Sequence, residues 1–315
     1  MSTRSFKKST ISQGLSKGSK FWDQVSVPFS ARGVFAGGVG ASQSNVIDYV
    51  TITTTGNATD FGDLIDTDDY VVGCSSSTRG LFAAAGDINY ITILTTGNAL
   101  NFGDLTVDRF ATGGCSSDTR GIWAGGVAAS ESNVIDYVTI ATTGNATDFG
   151  DLLGTRYGTS GCGSTTRGVF SGGVASGARD NVIQYVTIAT VGNSTDFGDL
   201  PSTRVGTASA SSSTRGLIAG GTISSGNFAI TIDYITIATT GNTTSFGDLT
   251  TARQYFAGTS DTLRGIFGGG SVSGDGKSNV IDYVTIASAG NATDFGDLTV
   301  ARNGIGALSN SHGGL

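Results

Sequence analysis

Few side chains in this sequence could do chemistry: one histidine, three cysteines and a set of aspartates that return at regular intervals. His312, the only imidazole, stands near the end of the chain, which sets aside both metal oxidases, whose centres take more than one histidine, and Ser-His hydrolases. Asp63, Asp104, Asp151, Asp199, Asp248 and Asp297 are carboxylates that could serve catalysis or bind calcium. Their sixfold recurrence argues against it, because an active site is one asymmetric place while a fold-holding bond is needed in every copy. The expectation is that these aspartates accept backbone N–H bonds or pair with arginine. Asp-Phe-Gly at Asp60, Asp148, Asp196 and Asp294 lacks the Gly-rich loop, strand lysine and catalytic loop of a kinase. A carboxylate-only glycosidase would need a pair of non-repeated acids, and none stands out. Cys74, Cys115 and Cys162 each lie five residues before an Arg-Gly, so they are one structural position in three successive copies. Buried free thiols are expected there, not disulfides or metal ligands. No catalytic, cofactor-binding or metal-binding residue is expected anywhere.

The elements that must position these groups are repeats. Three landmarks recur six times: Tyr49, Tyr90, Tyr137, Tyr185, Tyr234 and Tyr283; the six aspartates above; and Arg32, Arg79, Arg120, Arg167, Arg215 and Arg264. From Tyr to Asp is always 14 residues and from Asp to the next Arg always 16, whereas Arg to Tyr takes 17, 11, 17, 18, 19 and 19. All length variation therefore sits in one loop per unit: 39–44, 86–87, 127–132, 174–180, 222–230 and 271–278. In a four-strand meander this loop lies on the face of the connection to the next blade, so all six are expected to emerge together as the contact surface.

Each unit reads as four short strands. Arg32-Gly33-Val34-Phe35-Ala36-Gly37-Gly38 is an apolar strand ending in paired glycines; Asn45-Val46-Ile47-Asp48-Tyr49-Val50-Thr51-Ile52 is apolar on both alternating faces, as in a strand covered on both sides. Gly56-Asn57 is expected to make a hairpin turn, and the Asn-x-Thr triplets at Asn57, Asn145, Asn193, Asn242 and Asn291 to be turn residues, not glycosylation sites. A short strand follows at Asp60-Phe61-Gly62-Asp63-Leu64, then a strand of small residues such as Gly158 to Gly163. Four antiparallel strands repeated radially predict an all-β fold, a six-bladed β-propeller. The small-residue strand belongs innermost, where strands converge. The sequence enters at Arg32 without that strand and ends, after Arg302, with its pattern, so the C-terminal strand is expected to close the first blade.

Residues 1–30 match no repeat and carry Arg4, Lys7, Lys8, Lys17 and Lys20 against Asp23, a net of +4, which leaves −11 on residues 31–315. An acidic body disfavours nucleic acid. No apolar run reaches the length of a membrane span, and residues 1–30 lack a secretory apolar core; cytoplasmic synthesis without membrane insertion is expected.

Arg, an apolar strand ending Gly-Gly, a strand with Tyr, then an aromatic shortly before Leu: this order resembles a kelch blade across residues 32–315. Phe61, Phe102, Phe149, Phe197, Phe246 and Phe295 stand where kelch blades usually carry Trp; Arg109, Arg156, Arg204, Arg253 and Arg302 match the following Arg, which Asp68 replaces in the first blade. The near-identical wording of the units is also similar to repeats in virion structural and tail proteins of marine bacteriophages, including cyanophages. That resemblance implies a non-enzymatic virion component, assembled in the host cytoplasm in several symmetric copies. Its basic arm would dock on other virion proteins through Lys7, Lys8, Lys17, Lys20, Phe21, Trp22 and Phe29. The competing expectation is a module whose loop face recognises a host-surface carbohydrate or protein. Some kelch-like propellers are copper oxidases with two His and two Tyr ligands; a single histidine does not meet that set.

Overall fold

The structure, a computed structural model, describes residues 31–274 and 276–315; the arm residues Lys7, Lys8, Lys17, Lys20, Phe21, Trp22 and Phe29 lie outside the described residues. Among the described residues every regular element is a strand, and six four-stranded antiparallel sheets make the six blades of a β-propeller. The fourth blade is representative. Ser160–Gly163 is innermost, Arg167–Ser171 and Val182–Thr187 follow outward, and Thr195–Asp199 is the outer edge. The ring closes as the sequence requires: Gly306–Ser309 pairs with Arg32–Ala36 as the inner strand of the first blade.

The second strand of each blade shows why a doubly apolar sequence is needed. In Arg32–Ala36, Val34 and Ala36 join a core with Phe82, Ile91 and Ile93 of the second blade. Phe35 points the other way, into a core with Ile266, Ile281 and Phe295 of the sixth. Successive side chains of a strand leave on opposite faces, so each blade is glued to both neighbours, at roughly 1.5–3 kcal/mol for each such side chain fully buried. The centre of this strand carries Phe35, Phe82, Trp123, Phe170, Ile218 and Phe267, all buried.

Inner strands approach each other closely enough to require glycine. A Cβ on Gly73 would collide with Ala307 O, and one on Gly161 with Gly114 O. Beside them runs a belt of serines. Ser75 Oγ donates to Ser309 O (2.7 Å), Ser309 Oγ to Ser260 O, Ser260 Oγ to Ser211 O (2.7 Å) and Ser211 Oγ to Gly163 O (2.9 Å). The cysteines fill the adjoining layer as buried free thiols, and burial pushes Cys74 and Cys162 up to about 12.

Two expectations need correction. Gly-Asn is not the hairpin turn. Among the described residues no asparagine takes a positive φ, and the pair instead reaches across to the preceding blade. Gly97 N donates to Phe61 O (2.8 Å) and Asn98 Oδ1 accepts from Asp63 N (3.1 Å), and the same clasp recurs around the ring to Asn57 and Asp297 (3.1 Å). The Asp63 family consequently acts through its backbone, and among the described residues none of its members is the partner of an arginine.

Arginines have two other repeated roles. The Arg-Gly arginines each donate from Nη1 to a carbonyl of the next blade, as Arg79 does to Ile140 O (2.9 Å), while stacking on the tyrosine of their own blade, 4.6 Å above Tyr90. That tyrosine meets its phenylalanine edge-on, with centroids 6.2 Å apart for Tyr90 and Phe102. The second set bridges blades through buried ion pairs with the Asp48 family: Arg109–Asp136 (2.9 Å), Arg204–Asp233 (2.7 Å), Arg253–Asp282 (2.6 Å) and Arg302–Asp48 (2.7 Å).

Candidate functional site

The six variable loops emerge on one face, because each starts beside the segment that enters an inner strand. Val39 bridges to Asn303, Val127 to Phe110, Val174 to Tyr157, Thr222 to Val205 and Ser271 to Gln254. The second blade is the exception, turning directly through Ala85 (φ 49°) and Gly86 (φ 100°) in a two-residue hairpin. Loops also tie to one another. Glu131 accepts from Ser176 N (2.8 Å) and Gly177 N (3.0 Å), Asn303 Nδ2 donates to Ser271 Oγ (2.6 Å), and Lys277 Nζ reaches Gly40 O.

On this face the axial channel opens into a cavity of 120 Å³. One residue per blade rims it in a left-handed conformation: Gly158, Gly206 and Gly304, but also Ala111 (φ 57°), Tyr70 (φ 53°) and Tyr255 (φ 49°). For a bulky residue this conformation costs about 1–3 kcal/mol and persists only where the surroundings dictate it. Tyr255 is fixed by its backbone, which donates to Gly206 O (2.8 Å) and accepts from Gly304 N (2.7 Å). The rings of Tyr70 and Tyr255 meet edge to face at 5.2 Å, with Phe110 5.9 Å from Tyr70. Burial raises both phenols, Tyr255 to about 12.

Beside Tyr255 lies an open depression of 610 Å³ bounded by Tyr157, Val174, Arg179, Thr203, Val205 and Ser224 among others. On the opposite side of the mouth the charge reverses. Asp66, Asp68, Asp69, Asp87 and Asp108 gather where the second-blade loop is short; burial and mutual repulsion raise Asp68 and Asp87.

The other end of the channel is occupied by the chain itself. After the closing strand, residues 312–315 turn into the axis beneath a smaller cavity of 50 Å³. His312 Nε2 lies 3.2 Å from Ser116 Oγ and 3.3 Å from Ser75 O, Gly314 N donates to His312 Nδ1 (3.0 Å) and Gly313 N donates to Ser211 O (3.0 Å). With Nδ1 accepting, the partners assign the neutral tautomer protonated on Nε2, and burial lowers the group to about 4.

Sequence reasoning placed the loops on this face but missed the rim. The signal was present: aligning the units puts Tyr70, Ala111, Gly158, Gly206, Tyr255 and Gly304 in one column, and two tyrosines among glycines break the pattern. The tail had no such signal, since it matches no repeat. Among the described residues no group of three or more His, Cys, Asp or Glu side chains converges to hold a metal ion.

Fold and site together define a six-bladed β-propeller with one self-occupied end and one aromatic, loop-rimmed end. A scan against protein-family models returns no match, and a comparison with curated protein sequences returns none either.

Proposed function

We propose that this protein is a non-enzymatic structural component of a bacteriophage virion, in the tail, at a fibre attachment or on the capsid, and that its loop face makes the contacts. The observation that carries this reading is the gathering of non-repeated residues on one face of an otherwise repetitive ring: the variable loops, the rim tyrosines and Arg179. In a repeat protein the lattice holds the fold, and departures from it are where partners are told apart. The kelch-like order of landmarks and the wording of the units support the family side of the proposal. Residues 1–30 supply the docking element, with Lys7, Lys8, Lys17 and Lys20 meeting an acidic neighbour and Phe21, Trp22 and Phe29 packing against it.

Particle assembly tests both parts. A chain lacking residues 1–28 folds but does not enter particles. Replacing the fifth- and sixth-blade loops with the two-residue turn of the second leaves folding intact and weakens partner contacts. Normal incorporation of both variants, seen by electron microscopy and protein gel, would overturn the proposal. A second reading, recognition of a carbohydrate or protein on a host surface, is favoured by the aromatic mouth.

A further inference from the structure

We propose that the depression bounded by Tyr157, Arg179 and Tyr255 binds an acidic saccharide, with the sugar carboxylate on Arg179 and the apolar face of a pyranose ring on tyrosine. The inference rests on the second reading above, that the loop face recognises a surface carbohydrate.

Arg179 is set apart by what it lacks. Among the described residues, six arginines staple blades through carbonyls and five are bridged to aspartates. Arg179 does neither; its Nε is shielded without an acceptor, as are those of Arg109, Arg253 and Arg302, so what distinguishes it is the lack of any carboxylate or carbonyl on its guanidinium. A guanidinium held so gains most from a planar anion that accepts two of its N–H bonds.

Its position is built, not incidental. Val174–Ala175 and Ala178–Arg179 form a small hairpin whose turn residues Ser176 (φ 51°) and Gly177 (φ 75°) are the left-handed pair such turns require. Glu131 of the neighbouring blade accepts both turn amides, and Val174 exchanges two backbone bonds with Tyr157 (2.8 and 3.1 Å). Tyr157, Val174 and Arg179 are therefore cross-strand neighbours on one rigid ladder, and all three line the depression. Tyr255 forms the far wall from its strained, backbone-fixed position, and its high pKa keeps the phenol a hydrogen-bond donor at any ordinary pH. Thr203 and Ser224 add hydroxyls suited to sugar hydroxyls. The volume of 610 Å³ falls in the range of about 300–1,000 Å³ common to small-ligand sites.

Charge narrows the class. The aspartates on the other side of the mouth, on a body of net charge −11, repel a polyanion such as nucleic acid or a polyphosphate. A single carboxylate seated beside Arg179 gains a direct pair while distant charges are screened within about 8 Å at physiological salt.

Calorimetric titration of the full chain with 3′-sialyllactose against lactose, and with methyl galacturonoside against methyl galactoside, each acidic probe carrying a single carboxylate, tests this. At least one acidic probe should bind, tenfold or more tighter than its neutral counterpart. Arg179→Gln should abolish that difference, Arg179→Lys should retain part of it, and Tyr157→Ala should weaken both members of the pair, all three variants melting like the parent because neither residue belongs to the blade-to-blade lattice. No binding by either acidic probe, equal binding of acidic and neutral probes, an unaffected Arg179→Gln protein, or displacement by inorganic phosphate at equal concentration would overturn the inference. Particle assembly of the loop grafts is read separately, so failure here is distinguishable from failure of the loop-face reading.

Discussion

Five blade junctions are crossed by an arginine–aspartate bridge, four of them buried on both sides and the fifth with a half-buried aspartate, and the junction between the first and second blades is not. Where Arg would stand there is Asp68, and where its aspartate would stand there is Asn89. Both members have changed. Asn89 keeps the one duty that needs no charge, its Oδ1 accepting from Ile65 N (3.2 Å), as Asp136 accepts from Thr106 N (3.2 Å) at a bridged junction. The fourth blade shows the intermediate case. Gln184 replaces the aspartate and accepts from Leu153 N (2.8 Å), while Arg156 remains and finds Asp180 in the variable loop instead (3.2 Å). The lesson is that an arginine is never left alone at these positions. Desolvation raises Asp48 and lowers Arg302, in each case ahead of the attraction between them, so the bridge adds little net stability but cannot be halved.

Closure is the harshest test of that lattice. Deleting residues 303–315 removes the inner strand of the first blade, uncovers Val34 and Phe35 and leaves an unpaired strand edge. Loss of most of the folding stability is expected in urea denaturation. A midpoint close to that of the parent would show that the ring does not depend on its closing strand.

Halving a bridge comes next. Asp282→Ala strands the buried Arg253 and should cost about 3–5 kcal/mol, whereas Arg253→Leu with Asp282→Asn should cost clearly less than Asp282→Ala alone. Denaturation midpoints compare the three. Equal losses in the single and double variants would mean that the bridge matters for its volume and not for its charges.

The unbridged junction permits the converse experiment. Asn89→Asp places a buried carboxylate at a junction with no arginine and should destabilise by about 2–4 kcal/mol at pH 7, less at low pH where the new carboxyl is protonated. Adding Asp68→Arg should recover part of that loss. If the double variant is no better than the single one, the junction differs in shape as well as in charge.

The repeat made most of the fold legible. Constant spacings fixed four strands per blade, the confinement of length changes to one loop placed those loops on one face, and the missing small-residue strand before Arg32 announced closure by Gly306–Ser309. What escaped was partner choice within the repeat. Two aspartate families and two arginine families recur together, and spacing alone cannot say that Asp48 rather than Asp63 meets Arg302, because the bridge crosses between blades. Gly-Asn misled for the same reason: its local chemistry suits a hairpin, but its acceptor work is done on the neighbouring blade. The site was half legible, since rim tyrosines show in an aligned column, whereas the unpaired state of Arg179 among the described residues emerges only once every other described arginine has found its partner.

The two channel ends yield the smallest and most specific prediction. His312 sits in the self-occupied end with a pKa of about 4, below its ordinary 6.5, because burial disfavours the imidazolium more than Ser75 O and Asp118 favour it. A histidine depressed in the folded state binds fewer protons than in the free tail between those two values. Its contribution to docking is therefore fully present above about pH 6.5 and declines as the pH falls towards 4. A tenfold change in proton affinity corresponds to about 1.4 kcal/mol; discounted because His312 is only half-buried, the loss is on the order of 1–2 kcal/mol. It should loosen the tail without opening the ring, because the closing strand ends at Ser309. As the only histidine in the chain, His312 gives a single imidazole signal, which can be followed by NMR from about pH 7.5 to about pH 3.5, a window that spans both values. A midpoint near 4, with amide protection at Gly313 and Gly314, taken against the intrinsic exchange rate at each pH, falling only below about pH 6, is the expected result; a midpoint at 6.5 with no protection of these amides at any pH would place the tail outside the channel in solution.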